Sequence, residues 1–237
     1  MRIDLHNFFK FYDPKNPKHV AAVEQLEVDL VSKSPDLMED TSNWVKIFRT
    51  KVEPPKPLNN LLNVPYYPQT DNYVQPDRTC NSSACAMCLE FLKPGTLIGA
   101  KGDDAYLKKV IAVGDTTDHA VQTKVLSSYG IKSDFRYNLG FADLDRELSA
   151  GRPVVIGILH RGTLSSPTGG HMLVVIGKTP TGDYVVNDPY GDLMSGYTTP
   201  VNKGKGAVYP VEVLKYRWLT KGKDKTGWGR IFQPVKK

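Results

Sequence analysis

Arg78-Thr79-Cys80-Asn81-Ser82-Ser83-Ala84-Cys85-Ala86-Met87-Cys88-Leu89-Glu90-Phe91-Leu92 runs from a polar, turn-forming loop straight into an apolar segment, with a cysteine at the junction. Thr79 suits an N-cap, Ala84, Met87, Cys88 and Phe91 recur at helical spacing, and Pro94-Gly95 supplies a stop. The pattern therefore predicts a helix that opens at Cys80 and buries that stripe. A thiol in a first helical turn faces backbone N–H groups without acceptors and the positive end of the helix dipole, and both favour thiolate. Cys85 and Cys88 lie one and two turns further in, where packing roles are expected. A zinc reading of Cys80, Cys85 and Cys88 is weaker, because nothing nearby completes the four ligands usual for structural zinc.

A nucleophilic thiol needs a base, and Gly169-Gly170-His171-Met172-Leu173-Val174-Val175-Ile176-Gly177 reads as a buried strand with a histidine at its mouth. Thr179-Pro180-Thr181-Gly182 then turns the chain, and Tyr184-Val185-Val186-Asn187-Asp188-Pro189-Tyr190-Gly191 reads as the returning strand. Pairing Lys178 with Asp183 sets Leu173 opposite Asp188 and makes His171 and Asp188 diagonal neighbours. Diagonal Cβ atoms are about 7–8 Å apart, within reach of a carboxylate–imidazole contact. Alternation puts Asp188 on the cleft face and turns Asn187 away. His160 ends the apolar run Pro153 to His160 and competes for the role of base. His171 is preferred because two glycines before it allow close approach of a substrate and the next strand brings a carboxylate to its side.

Val64-Pro65-Tyr66-Tyr67-Pro68-Gln69 ahead of a helix-opening Cys, Gly-His at the head of a hydrophobic strand, and Asn187-Asp188-Pro189-Tyr190-Gly191 together resemble the papain-like cysteine peptidases related to bacteriocin-leader-processing (C39-like) enzymes. The resemblance spans residues 61 to 232. It implies an α+β, papain-like fold in which a helix-borne cysteine packs on an antiparallel sheet carrying His and Asp. It also implies roles: Cys80 attacks, His171 is the base, Asp188 orients it, and Gln69 donates to the oxyanion, with no metal or organic cofactor. The sequence departs from the family pattern where Asn81-Ser82-Ser83, rather than Gly and a small residue, follows the cysteine.

At 237 residues and 40% hydrophobic content the chain can build a core unaided. No apolar run of about 18 residues exists. Met1-Arg2-Ile3-Asp4-Leu5-His6 lacks a signal-peptide layout, so synthesis and folding in cytosol are expected, with release to a cell wall or association with a virion as later possibilities. Three cysteines with this spacing suit free thiols in a reducing compartment. The net charge of +6 is uneven: Thr198 to Lys237 holds ten Lys or Arg against Glu212 and Asp224, an excess of +8 that leaves −2 for the rest. With Tyr and Trp interleaved, this section is expected to form further strands, a basic antiparallel ribbon whose face could contact a polyanion such as a cell wall. No nucleic-acid motif accompanies it, so specific nucleic-acid binding is not expected. Trp228 between glycines would pack on the sheet edge or line the substrate groove.

Two regions are expected. Residues 1–57 read as a helical extension and linker: Asn16-Pro17 opens a helix carrying Val20, Val23, Leu26 and Leu30, a second helical piece holds Trp44 and Phe48, and Val52 to Leu58 is extended and proline-rich. Residues 58–237 would form the peptidase domain, with helices over Asp103 to Val113, Asp118 to Tyr129 and Phe141 to Ala150 and a strand over Ile131 to Tyr137. His6 and His19 read as surface or structural residues, and His119 as a surface residue. The expected activity is hydrolysis of peptide or amide bonds, with peptidoglycan as substrate in a phage-lysis endolysin. Protein processing and a catalytically silent papain-like binding module are the alternatives.

Overall fold

The computed structural model describes residues 61–234, and the expected helices and linker of 1–57 lie outside them. In chain order the helices are α1 (Cys80–Leu92), α2 (Gly102–Val113), α3 (His119–Ser128), α4 (Phe141–Ser149) and α5 (Val211–Trp218). The strands are β1 (Ser133–Leu139), β2 (Val154–Gly162), β3 (Pro167–Lys178), β4 (Tyr184–Asn187), β5 (Lys205–Tyr209) and β6 (Gly227–Phe232). The strands form one antiparallel sheet in the order β1-β6-β2-β3-β4-β5.

The sheet is covered on both faces. Val155, Met172, Val174, Ile176 and Phe232 pack with α1, α2 and α3, while Val154, Ile156, Leu173, Val175 and Tyr184 pack with α4 and α5. Double burial explains why the central strands β2 and β3 read as continuous apolar runs, whereas a sheet wet on one face alternates with polar residues. The same logic governs α1. Every residue from Asn81 to Leu89 is buried, so the helix is enclosed on all sides instead of presenting the single stripe its spacing predicts, and Phe91 is only partly covered.

The carboxyl-terminal section departs from the expected ribbon. Val211–Trp218 is helical, β5 closes one edge of the sheet, and β6 is inserted between β1 and β2. Pro210 at the N-cap ends β5 and Lys215 and Arg217 sit in the last helical turn, a charge placement that suits a helix and that a strand reading overlooks. Trp228 accordingly packs within the sheet: a Cβ at Gly157 on β2 would run into its indole, and its carbonyl accepts from Trp218 Nε1 at 2.9 Å. The basic residues are dispersed. Arg230 is fully buried, Arg217 donates to the carbonyls of Leu159, Arg161 and Gly162, and Lys225 pairs with Asp143.

Candidate active site

Three elements converge at one end of the sheet: the opening turn of α1, the middle of β3, and the chain leaving β4. The β3–β4 pairing differs from expectation at the turn and agrees with it at the site. Lys178 pairs with Tyr184, one residue off, but a bulge between Val175 and Gly177 absorbs the extra residue and Val174 pairs with Asn187. That is the register that sets Leu173 against Asp188. The bulged Ile176 uses its carbonyl to accept from Leu62 N at 2.9 Å, which ties down the extended segment leading to Gln69.

His171 Nε2 meets Asp188 Oδ1 at 2.6 Å, with both residues buried. Asp188 is held from all sides: Tyr190 N donates to Oδ1 at 2.9 Å, Tyr209 Oη to Oδ2 at 2.7 Å, and Tyr197 Oη lies 3.4 Å from Oδ2. Asn187 points away, as alternation predicts, donating to the carbonyls of Val64 and Pro65 and accepting from Gly206 N.

Cys80 is the one partly exposed cysteine, and the His171 imidazole lies close enough to act on its thiol. Because Nε2 serves Asp188, Nδ1 is the ring nitrogen left for the sulfur. Burial pushes the Cys80 thiol up, but the hydrogen bond and charge of His171, with the N–H groups of Met172 and Asn81, outweigh it and hold the pKa below its ordinary value. Burial opposes the imidazolium of His171 in turn, yet the Asp188 carboxylate and the Cys80 sulfur raise its pKa to about 10. Cys85 and Cys88 are fully buried and their thiols are raised by burial. The chemistry available is therefore a thiolate–imidazolium pair at one position only.

Gln69 opens a short 3-10 turn, Gln69–Asp71, and its side chain is buried. Its Nε2 donates to Pro76 O at 2.7 Å, and its backbone N donates to Pro189 O, next to Asp188. One amide hydrogen is engaged, leaving the second to donate elsewhere, while Oε1 has no partner among the described residues. Thr79 differs from expectation: its side chain makes no cap bond and instead accepts from Asn72 Nδ2 at 2.8 Å.

The competing histidine is close but differently engaged. His160 stacks on His171 with ring centroids 4.9 Å apart, and its Nδ1 lies 3.3 Å from Tyr197 Oη. Burial, then the charges of His171 and Arg161, lower its pKa to about 4, so it is neutral at pH 7. Its ring and Arg161 also pack on Gly169, while Gly170 faces open space. His119 is no plain surface residue: it stacks on Phe135 and bonds Asn81 Nδ2 at 3.2 Å. Tyr190, Tyr197 and Tyr209 escaped the sequence reading. Tyr209 was detectable as the inward residue of β5 opposite Tyr184, but nothing local marks Tyr197. Among the described residues no cluster of His, Cys, Asp and Glu is arranged to hold a metal, and no helix is long and apolar enough to cross a membrane.

A model of the Peptidase_C39 like family matches residues 61–225. No curated protein matches the chain. Similar solved structures include a double glycine motif protease from an AMS/PCAT transporter in complex with the leader peptide, at 16% identity and TM-score 0.47, covering 75% of this chain and 96% of that one. Another is a C39-like peptidase from Bacillus anthracis, at 14% identity and TM-score 0.51, covering 75% and 98%. With the family model spanning well over half its length, the chain belongs to the Peptidase_C39 like family and is a cysteine peptidase of papain-like fold.

Proposed function

We propose that Cys80 is the nucleophile, His171 the base, Asp188 the residue that orients it, and Gln69 an oxyanion donor. The observation that carries this reading is the buried imidazole of His171, bonded to Asp188 Oδ1 at 2.6 Å and close enough to the Cys80 sulfur for each to shift the other's pKa. The Cys80 thiolate adds to the carbonyl carbon of a peptide bond, and the oxygen takes up negative charge facing the second N–H of Gln69 and the Cys80 N–H. The C–N bond breaks as His171 gives its proton to the leaving amine. Water then attacks the thioester, losing its proton to His171, and the acid departs as the thiolate–imidazolium pair is restored.

For the substrate we propose the peptide of peptidoglycan, cut by an endopeptidase or amidase of phage-lysis type. What supports it is the net charge of +6, which suits an anionic wall. Cys80→Ala is expected to reduce turnover by at least about 10⁴-fold, and iodoacetamide is expected to label Cys80 ahead of Cys85 and Cys88. Equal labelling of the three, or turnover surviving Cys80→Ala, would end the thiol mechanism. Clearing zones on purified cell walls test the substrate, and a protein that clears no wall preparation while cutting polypeptides is a processing peptidase instead.

A further inference from the structure

Beside the site lies a cavity of about 310 Å³ walled by Pro76 and Asp77 on one side and by Tyr190, Tyr197 and Val201 on the other, with Thr70 between. Its lining residues adjoin the reacting groups. Gln69, one residue before Thr70, bonds Pro76 O through its side chain and Pro189 O through its backbone, and the Tyr190 and Tyr197 rings lie 6.1 and 6.3 Å from the His171 ring. The walls are also strained. Of the four non-glycine residues with positive φ among those described, Gln75 (φ 49) precedes Pro76 and Tyr197 (φ 61) stands opposite. A bulky residue with positive φ persists only where its surroundings fix it, and such residues gather at ligand clamps. Tyr197 is fixed by its backbone bond to Asp192 O at 3.0 Å and by the contacts of its hydroxyl with His160 and Asp188.

The lining has a sign. Tyr190 and Tyr197 pack edge to face, ring centroids 4.9 Å apart, and present aromatic surface to the cavity, while exposed Asp77 offers a carboxylate with no hydrogen-bond or ion-pair partner among the described residues. Its neighbour Arg78 is taken by Asp115 at 3.0 Å, and no Lys or Arg lines the cavity. Aromatic faces and an unpaired carboxylate both attract a cation and repel an anion. The volume is at the lower end for small-molecule sites, enough for one side chain rather than a whole peptide.

We propose that this cavity is the specificity subsite of the peptidase and takes a cationic side chain of the peptide substrate, laid against the Tyr190–Tyr197 pair with its charge at Asp77. The inference rests on the reading of Cys80, His171 and Asp188 as the reacting groups, and it adds which residue beside the scissile bond they act on. An aromatic contact and a partly exposed ion pair together favour lysine over norleucine by about tenfold, less at high salt.

The test separates binding from turnover. Full-length Cys80→Ala protein is titrated calorimetrically with synthetic heptapeptides that differ only in carrying lysine, norleucine or glutamate at one position, moved in turn along the sequence. At one position lysine should bind about tenfold tighter than norleucine and glutamate weakest, with Asp77→Asn removing most of the gap and Asp77→Lys reversing the order of lysine and glutamate. No charge preference at any position, no binding of any peptide, or a preference that Asp77→Asn and Asp77→Lys leave intact overturns the subsite. Turnover of the same peptides by the native protein is scored separately. Lysine-selective, Asp77-dependent binding without turnover upholds the subsite and defeats the proposed chemistry, whereas turnover indifferent to charge does the reverse.

Discussion

His171 is held by opposed forces: burial disfavours its imidazolium, while Asp188 and Cys80 favour it, and the second pair prevails. The consequence is a pH window. The Cys80 pKa is lowered and the His171 pKa raised to about 10, so the ion pair exists between them. On the acid side the thiolate takes up a proton, below the ordinary thiol pKa; on the alkaline side the imidazolium loses its own as pH rises through about 10. The kcat/KM profile is expected to be bell-shaped, with its alkaline limb far above the 6.5 of an ordinary histidine. Asp188→Asn removes the charge that raises His171, so its alkaline limb should move to lower pH. An unmoved limb would mean that Asp188 does not set the basicity of His171. The same shift bears on folding, because a raised pKa contributes stability that is complete below 6.5 and lost as pH rises through about 10.

At the scale of elements, the join between β4 and the loop beyond it matters most. Asn187 closes β4 and holds three backbone groups, while a Cβ at Gly204, which accepts from Asp188 N at 2.9 Å, would run into Asp188 O. Gly204→Ala should therefore displace Asp188 and lower kcat/KM by about 10²-fold, the usual size of a misplacement near 1 Å. An unchanged near-ultraviolet dichroism spectrum would show the fold intact, and full activity would show that the loop yields. Asn187→Ala leaves the buried Val64 carbonyl unsatisfied and should cost about 1–3 kcal/mol in urea unfolding. What the sequence could convey here follows from period and reach. The helix at Cys80, the strand at His171 and the facing of Asp188 over Asn187 all rest on patterns within a few residues. The bulge at Ile176 was illegible because the partner of its carbonyl, the Leu62 N–H, is more than a hundred residues away. The β5–α5–β6 course was misread for a similar reason: which neighbours a strand such as β6 takes depends on the whole sheet, and a short amphipathic helix beside Tyr-Pro looks much like a strand. Gln69 owed its place to a family resemblance, since a glutamine in a turn carries no local sign of being buried.

Across the whole molecule, polar side chains sealed between the helices link α1 to its neighbours. Asn72 Nδ2 donates to Ser83 Oγ at 3.0 Å and Ser83 Oγ to Asp103 Oδ2 at 2.7 Å, while Arg230 joins β6 to Thr123, Ser133 and His119 O. Asp103 opens α2 beneath the helix that carries Cys80, and burial, only partly offset by the Ser83 hydrogen bond, pushes its carboxyl up to about 6 from 3.8. Between those values the folded chain keeps a proton that the unfolded chain gives up, so this carboxyl stabilises the fold fully below 3.8 and loses that contribution as pH rises through 6. The loss amounts to about 3 kcal/mol at 1.36 kcal/mol per pKa unit. His119 and His160 pull the other way: burial first, and then neighbouring positive charge, lowers each from 6.5 to about 4, so their contribution is gained as pH rises from 4 to 6.5. Two histidines against one carboxyl make the raw stability profile ambiguous, and the discriminating quantity is the difference between the native protein and Asp103→Asn. Urea unfolding at half-unit steps from pH 4 to 7 should give curves that converge or cross, with the native protein losing stability relative to Asp103→Asn by about 3 kcal/mol over the window. Parallel curves would show that Asp103 ionises in the folded chain as freely as in the unfolded one, and that the polar link beneath α1 carries no proton between pH 4 and 6.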